Sequence, residues 1–304
     1  MCGIVGLFLK DKSLKVDLGR MLSEMLVTKT DRGPDSSGIS ENNAHQAGQL
    51  KITVQADNPQ TDFDGLDKKL GAAIGASVKM DVRDTHAVLT MPQASLDTAM
   101  TELHQLEPVV RIMGRGESIE IYKEVGLPET VVSRFDIANM SGTHGIGHTR
   151  MATESAVTTM GAHPFNTGSD QCLVHNGSLS NHNSLRRKLR RENIRIETEN
   201  DTEVAAAYLT WKLQNGSSLG EALESSLNDL DGFFTFVVGT KDGLNMFLSV
   251  IASLIVFLSL VALADFILGI FPNVYGDPIS LQRIAAFIFA PIAWLMGIPF
   301  AEII

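Results

Sequence analysis

Cys2 is the residue of this 304-residue sequence around which chemistry is most readily built. A small side chain at position 2 permits removal of Met1, which would leave Cys2 with a thiol and a free α-amine of pKa about 7.7 to 8.0. Such an amine can act as the base for its own side chain, so one residue supplies nucleophile and base. Gly3 next to it lets a backbone or a substrate come close. Attack of a thiolate on an amide carbonyl produces a tetrahedral oxyanion, and donors must already stand where that charge develops. The tripeptide His175-Asn176-Gly177 offers two, the Asn176 side-chain amide and the Gly177 N–H. Taken alone, Asn-Gly is first of all a hairpin-turn signal. A ligand bearing an α-carboxylate and an α-ammonium calls for a guanidinium and a carboxylate, and Arg150 and Asp201 are candidates for the two. Asp201 also opens the run DTEVAA, where an N-cap aspartate is a second and compatible role.

Positioning these groups requires elements to carry them. The segment CGIVGLFLK is rich in Ile, Val and Phe and alternates, which predicts a strand starting at the nucleophile. Leu18, Met21, Leu22, Met25 and Leu26 recur at spacings of three and four, predicting a helix that stops before the turn-forming RGPDSSG of positions 32–38. Between about 50 and 140 the pattern alternates between strand and helix. KITVQA, AVLTM and SIEIYKEV read as strands, DGLDKKLGAAIG and LDTAMTELHQLEPVVRIM as helical, and a short helix starts at Pro128. This is a small α/β insertion; His86 and His104 within it have no partners at ligand spacing and read as ordinary surface or core residues. The basic run SLRRKLRREN reads as a solvated helix face. An amphipathic helix around Leu219 to Leu230 and the strand GFFTFVVGT follow.

The composition sets limits. A formal charge of -10 disfavours a nucleic-acid partner, whose affinity comes from clustered Lys and Arg. The two cysteines, Cys2 and Cys172, make neither a disulfide framework nor a metal-ligand set, which fits a reducing, cytoplasmic setting. The first residues lack the basic region of a secretory signal. Charge is nearly absent beyond position 245: residues 246–304 hold Arg283 as their one basic residue beside Asp265, Asp277 and Glu302. Met246 to Ala264 and Ile284 to Ala301 are uncharged apolar runs long enough to cross a bilayer as helices, which predicts a C-terminal transmembrane hairpin and an inner-membrane tether.

The segments MCGIVG, RGPDSSG, GIGHTRMAT, AHPF, VHNGSLSN and ENDTEV occur in the order found in the class II glutamine amidotransferases, the N-terminal-nucleophile family that includes glutamate synthase, glucosamine-6-phosphate synthase and the purine amidophosphoribosyltransferase. Residues 1–243 resemble that family, most closely the amidotransferase subunit of N-methylglutamate synthase and related glutamate-synthase-like proteins. The resemblance implies an α+β fold, a four-layer αββα sandwich whose first strand presents Cys2. It implies glutaminase chemistry on L-glutamine through a Cys2 thioester, with Asn176 and Gly177 as the oxyanion hole. Arg150 and Asp201 would hold the glutamine backbone groups, Thr153 would line the same pocket, and Arg32 and Gly33 would shape the wall beside the nucleophile. It implies no cofactor and no metal, and synthase subunits as partners that receive the ammonia. The sequence departs from the family at Met151 and Glu154, where many relatives carry an aromatic residue and a histidine. It also departs after GFFTFVVGT, where further strands of the sandwich give way to the apolar tail. That tail, with ASLIVFLSLVALADFILG and FAPIAWLMGIP, resembles an internal piece of the concentrative nucleoside transporters. The rival expectation is therefore a membrane-transport fragment with an inactive or glutamine-sensing passenger domain.

Overall fold

In the computed structural model, residues 2–42, 47–152, 156–240, 260–270, 278–281 and 284 are described. The chain divides into two compact units, Met1–Lys241 and Asp242–Ile304.

The first unit is built on a four-stranded antiparallel sheet. Its strands are β1 (Gly3–Phe8), β2 (Ser36–Asn42), β7 (Ile119–Val125) and β8 (His144–Arg150), in the order β1-β8-β2-β7. Alternation along β1 decides what each face meets. Val5 points to a cluster with Leu22 and Leu26 of α1 (Leu18–Val27), joined by Ile39, Tyr122, Phe135 and Ile137. Ile4 points the other way, and with Ile121 and Ile146 it meets Cys172, Val174 and Val237. Those three belong to the second sheet, the antiparallel pair β9 (Gln171–Leu179) and β10 (Gly232–Thr240). The far face of that pair packs Leu173, Leu179, Phe234 and Phe236 on α6 (His182–Arg191), α7 (Asp201–Gln214) and α8 (Leu219–Asp229). Helix, sheet, sheet and helices thus follow one another across the unit. In α1 the residues at 0 % exposure are Leu18, Leu22 and Leu26, spaced one turn apart. Each such burial is worth about 1.5–3 kcal/mol.

Within the range expected to be an insertion, about 50–140, residues 49–116 form an α/β pair of layers. Strands β3 (Gln49–Ala56), β4 (Lys79–Arg83), β5 (His86–Pro92) and β6 (Val110–Gly116) form a sheet in the order β4-β5-β3-β6. It carries the helical segments α2 (Pro59–Asp62), α3 (Leu66–Ile74) and α4 (Leu96–Gln105), with Leu66, Leu70, Ala99 and Leu103 packed against Leu50, Ile52 and Val54. The segment expected to be helical through Met113 is corrected here: α4 ends at Gln105 and Val110–Gly116 pairs with β3. Pro108 has no N–H to continue the helix, and Val109 and Val110 favour an extended chain. β7 returns to the first sheet, and α5 (Pro128–Arg134) packs near α1.

In the second unit residues 260–268 are helical. Among the described residues no helix is long and apolar enough to cross a membrane. Most of the two runs expected to form a transmembrane hairpin lies outside the described residues.

Candidate active site

Cys2 sits at the mouth of β1. The β1–β8 register pairs Gly3 with Thr149, so the next step along both strands sets Cys2 across from Arg150. A short chain of bonds fixes this corner. Gly3 N–H donates to Thr149 Oγ1 at 3.2 Å, and that hydroxyl donates to the Lys29 carbonyl at 3.2 Å. The Cys2 thiol is directed at the Met151 carbonyl, 3.9 Å away.

The loop at 32–35 packs behind it. A Cβ on Gly33 would lie 2.4 Å from the Thr149 carbonyl carbon and 2.6 Å from Arg150 N, so only glycine admits this approach. Asp35 N–H donates to the Arg150 carbonyl at 3.1 Å, and the Asp35 carboxylate accepts from Ala152 N–H at 2.7 Å.

A cavity of about 450 Å³ opens beside Cys2. Its walls include Arg150, Asn176, Gly177, Asp201, His163 and His175. Five residues expected on chemical grounds, Cys2, Arg150, Asn176, Gly177 and Asp201, therefore share one space although they are spread over 200 positions. Arg32 is exposed, and neither it nor Gly33 lines the cavity. Thr153 and Glu154 lie outside the described residues.

Asn176 and Gly177 are not a hairpin turn. They stand within β9, Gly177 opposite Phe234. Gly177 has φ +141°, and a Cβ there would lie 2.0 Å from the Phe233 carbonyl, which is why this strand position takes glycine. Asp201 is the first residue of α7 and not its cap. Asn200 is the cap, its side chain accepting from Thr202 N–H at 2.9 Å. Freed from capping, the Asp201 carboxylate accepts from Leu179 N–H at 2.9 Å and stands 3.8 Å from His175 Nδ1. Burial pushes the Arg150 guanidinium below its ordinary value, while Cys2, Asp35 and Asp201 act the other way, so cation and anion are set on the same space.

Several residues under the cavity were not singled out in the sequence. His163 and His175 are buried on the Thr202 hydroxyl, and His148 is buried against the His163 ring. The signal was present, since each histidine lies in one of the quoted motifs (GHTR, AHPF and VHN), but nothing in their spacing joins them. The segment carrying His163 is pinned by Lys123 of β7, whose Nζ donates to the carbonyls of Met160, Ala162 and Pro164 at 3.2, 2.9 and 3.3 Å. Burial brings that lysine down to about 8. The helix α6 is less solvated than its composition predicts. Arg186 is buried and bonds Glu199, Asn183 and the Asn200 carbonyl, which steadies the start of α7.

Away from the cavity, His104, Glu107 and Glu197 bring ligand atoms within 4.8 Å of one another. The Arg195 guanidinium pairs with both carboxylates and offsets one of their two charges.

Residues 148–250 match the family model described as a glutamine amidotransferase domain. Residues 206–304 match another, the C-terminus of Na+ dependent nucleoside transporters. The chain is 61% identical over 243 residues to the glutamine amidotransferase-like protein GlxB of Rhizobium meliloti (strain 1021), covering 80% of each chain. It is 34% identical over 260 residues to a putative glutamine amidotransferase of Methanothermobacter thermautotrophicus, covering 81% of this chain and 84% of that one. A glutamine–fructose-6-phosphate aminotransferase of Vibrio vulnificus (strain YJ016) is 33% identical over 129 residues, 42% of this chain and 21% of its own length. An N-terminal cysteine strand beside a cavity with paired cation and carboxylate, together with these likenesses, defines a class II glutamine amidotransferase. The chain belongs to that family and is a glutamine amidotransferase enzyme.

Proposed function

We propose that this chain hydrolyses the side-chain amide of L-glutamine at Cys2 and hands the ammonia to a synthase partner. With Met1 removed, the Cys2 amine takes the thiol proton and the sulfur attacks the amide carbon. The Asn176 amide and the Gly177 N–H receive the oxyanion. Collapse expels ammonia, with the amine returning its proton to the leaving nitrogen, and leaves a γ-glutamyl thioester. Water then cleaves the thioester to give glutamate and the free thiol. Arg150 takes the α-carboxylate of glutamine and Asp201 its α-ammonium. Gly33 supports the wall behind Arg150, with Arg32 flanking it. No cofactor or metal enters these steps.

The observation that carries this reading is the convergence of Cys2, Arg150, Asn176, Gly177 and Asp201 on one cavity. A thiol that must stay reduced favours a cytoplasmic setting, and the recipient of the ammonia is a separate subunit. The domain runs over residues 1–243 in this reading, and residues 246–304 derive from a nucleoside-transporter-like segment. The test is glutamate release from glutamine by the purified chain, with Cys2→Ala as control. Release that depends on Cys2 is expected; equal release by parent and control, or none by either, would overturn the assignment.

A further inference from the structure

Three histidines from three different parts of the fold meet beneath the cavity. His148 of β8 is 0 % exposed, His175 of β9 3 % and His163 of the 161–165 segment 4 %, and Thr202 of α7 stands among them at 1 %. The Thr202 hydroxyl is 2.8 Å from His163 Nε2 and 3.0 Å from His175 Nδ1. The His148 and His163 rings stack with centroids 4.0 Å apart, and His148 Nε2 lies 3.0 Å from the His175 carbonyl.

Donor and acceptor rules fix much of the proton arrangement. A carbonyl only accepts, so His148 carries its proton on Nε2. The Thr202 hydroxyl has one proton, which goes either to the Asp201 carboxylate 3.5 Å away or to one of its two rings, and it accepts from any ring it does not donate to. His148 Nδ1, His163 Nδ1 and His175 Nε2 are then left buried with no partner among the described residues. Each such nitrogen is a cost to folding that apolar side chains of similar size would avoid. Burial holds His148 near 3 and His163 far below the ordinary histidine range, so the rings are neutral and add no cation beside Arg150.

We propose that this cluster is a positioning device for turnover, in which the His148 Nε2–H bond to the His175 carbonyl fixes the peptide leading into Asn176 and Gly177. The inference rests on the assignment of those two residues as oxyanion donors. The His175 carbonyl and the Asn176 N–H share one peptide plane, so the bond sets where β9 aims the Asn176 amide. Arg150 and Asp201, the proposed substrate-binding pair, are carried by β8 and α7 and not by that peptide. Losing the bond therefore weakens the transition state and spares ground-state binding.

The experiment compares His148→Gln, His148→Asn and His148→Leu in the full chain, reading kcat and KM for glutamine. Glutamine sets an amide nitrogen near the place of Nε2 and keeps the donor, whereas asparagine stops one bond short and leucine has none. Asn and Leu are expected to lower kcat by about tenfold to hundredfold with KM unchanged, and Gln to restore most of it. A folded Leu variant with parental kcat, equal impairment of Asn and Gln, or a change confined to KM would overturn the proposal. Should the His148 variants not fold, Thr202→Val against Thr202→Ser decides: Ser is expected to keep turnover and Val to lose it, and parental turnover by Val overturns the proposal. An inactive parent chain, which needs no variant to detect, would overturn the site assignment and this inference with it.

Discussion

At the scale of single residues, one member of the proposed site is relieved of structural duty. Asn200 caps α7, which leaves the Asp201 carboxylate to face the cavity while it accepts from the Leu179 N–H and the Thr202 hydroxyl. Asparagine at 201 would keep an acceptor for that N–H while removing the charge. Asp201→Asn is therefore expected to fold normally and to raise KM for glutamine about tenfold to hundredfold, the worth of a hydrogen bond to a charged group. Steady-state kinetics check this, and an unchanged KM would remove Asp201 from ammonium binding. That Cys2, Arg150, Asn176, Gly177 and Asp201 belong around one space was legible from residue type, because a thiol, an amide, a guanidinium and a carboxylate each answer one need of one proposed reaction. The histidine cluster was not. Its members are ordinary in isolation, and the bonds that define them run between residues as far apart as 163 and 202.

At the scale of elements, alternation in β1 and the four-residue spacing in α1 foretold which side chains face the core, and the structure places Val5, Leu22 and Leu26 in one cluster. The end of α4 was misjudged because apolar spacing continues through Pro108 into what is a strand, and periodicity cannot tell where the backbone stops being helical. Nor could the sequence reveal what joins the insertion to the first sheet. There Lys51 of β3 meets Glu120 of β7 at 2.7 Å, and Glu120 lies opposite Glu41 of β2. Burial, with Glu120 adding to it, pushes Glu41 up to about 8 against the ordinary 4.5, so the folded chain keeps this carboxyl protonated where the unfolded chain ionises it. The unfolded state binds fewer protons in that interval, and the contribution of Glu41 to stability is lost as pH rises from about 4.5 through 8. Urea unfolding of parent and Glu41→Gln at pH 5 and pH 8 reads this directly. The variant is expected to gain on the parent at the higher pH, and parallel behaviour of the two would contradict a protonated Glu41.

At the scale of the whole molecule, the two family matches overlap over residues 206–250, and the compact unit that holds the cavity closes at Lys241. Among the described residues, none that lines the cavity lies beyond Thr202. A chain of residues 1–245 is therefore expected to release glutamate with the kcat/KM of the full chain, and a large loss would mean that the tail completes the catalytic unit. The two cysteine thiols offer a further use of this architecture. One faces the cavity, while the other, Cys172, is sealed between the sheets with its ionisation pushed up to about 12 by burial. An alkylating reagent given to the native chain at neutral pH consumes a single equivalent, and a second only after unfolding. The difference between the two titres counts the intact molecules in any preparation.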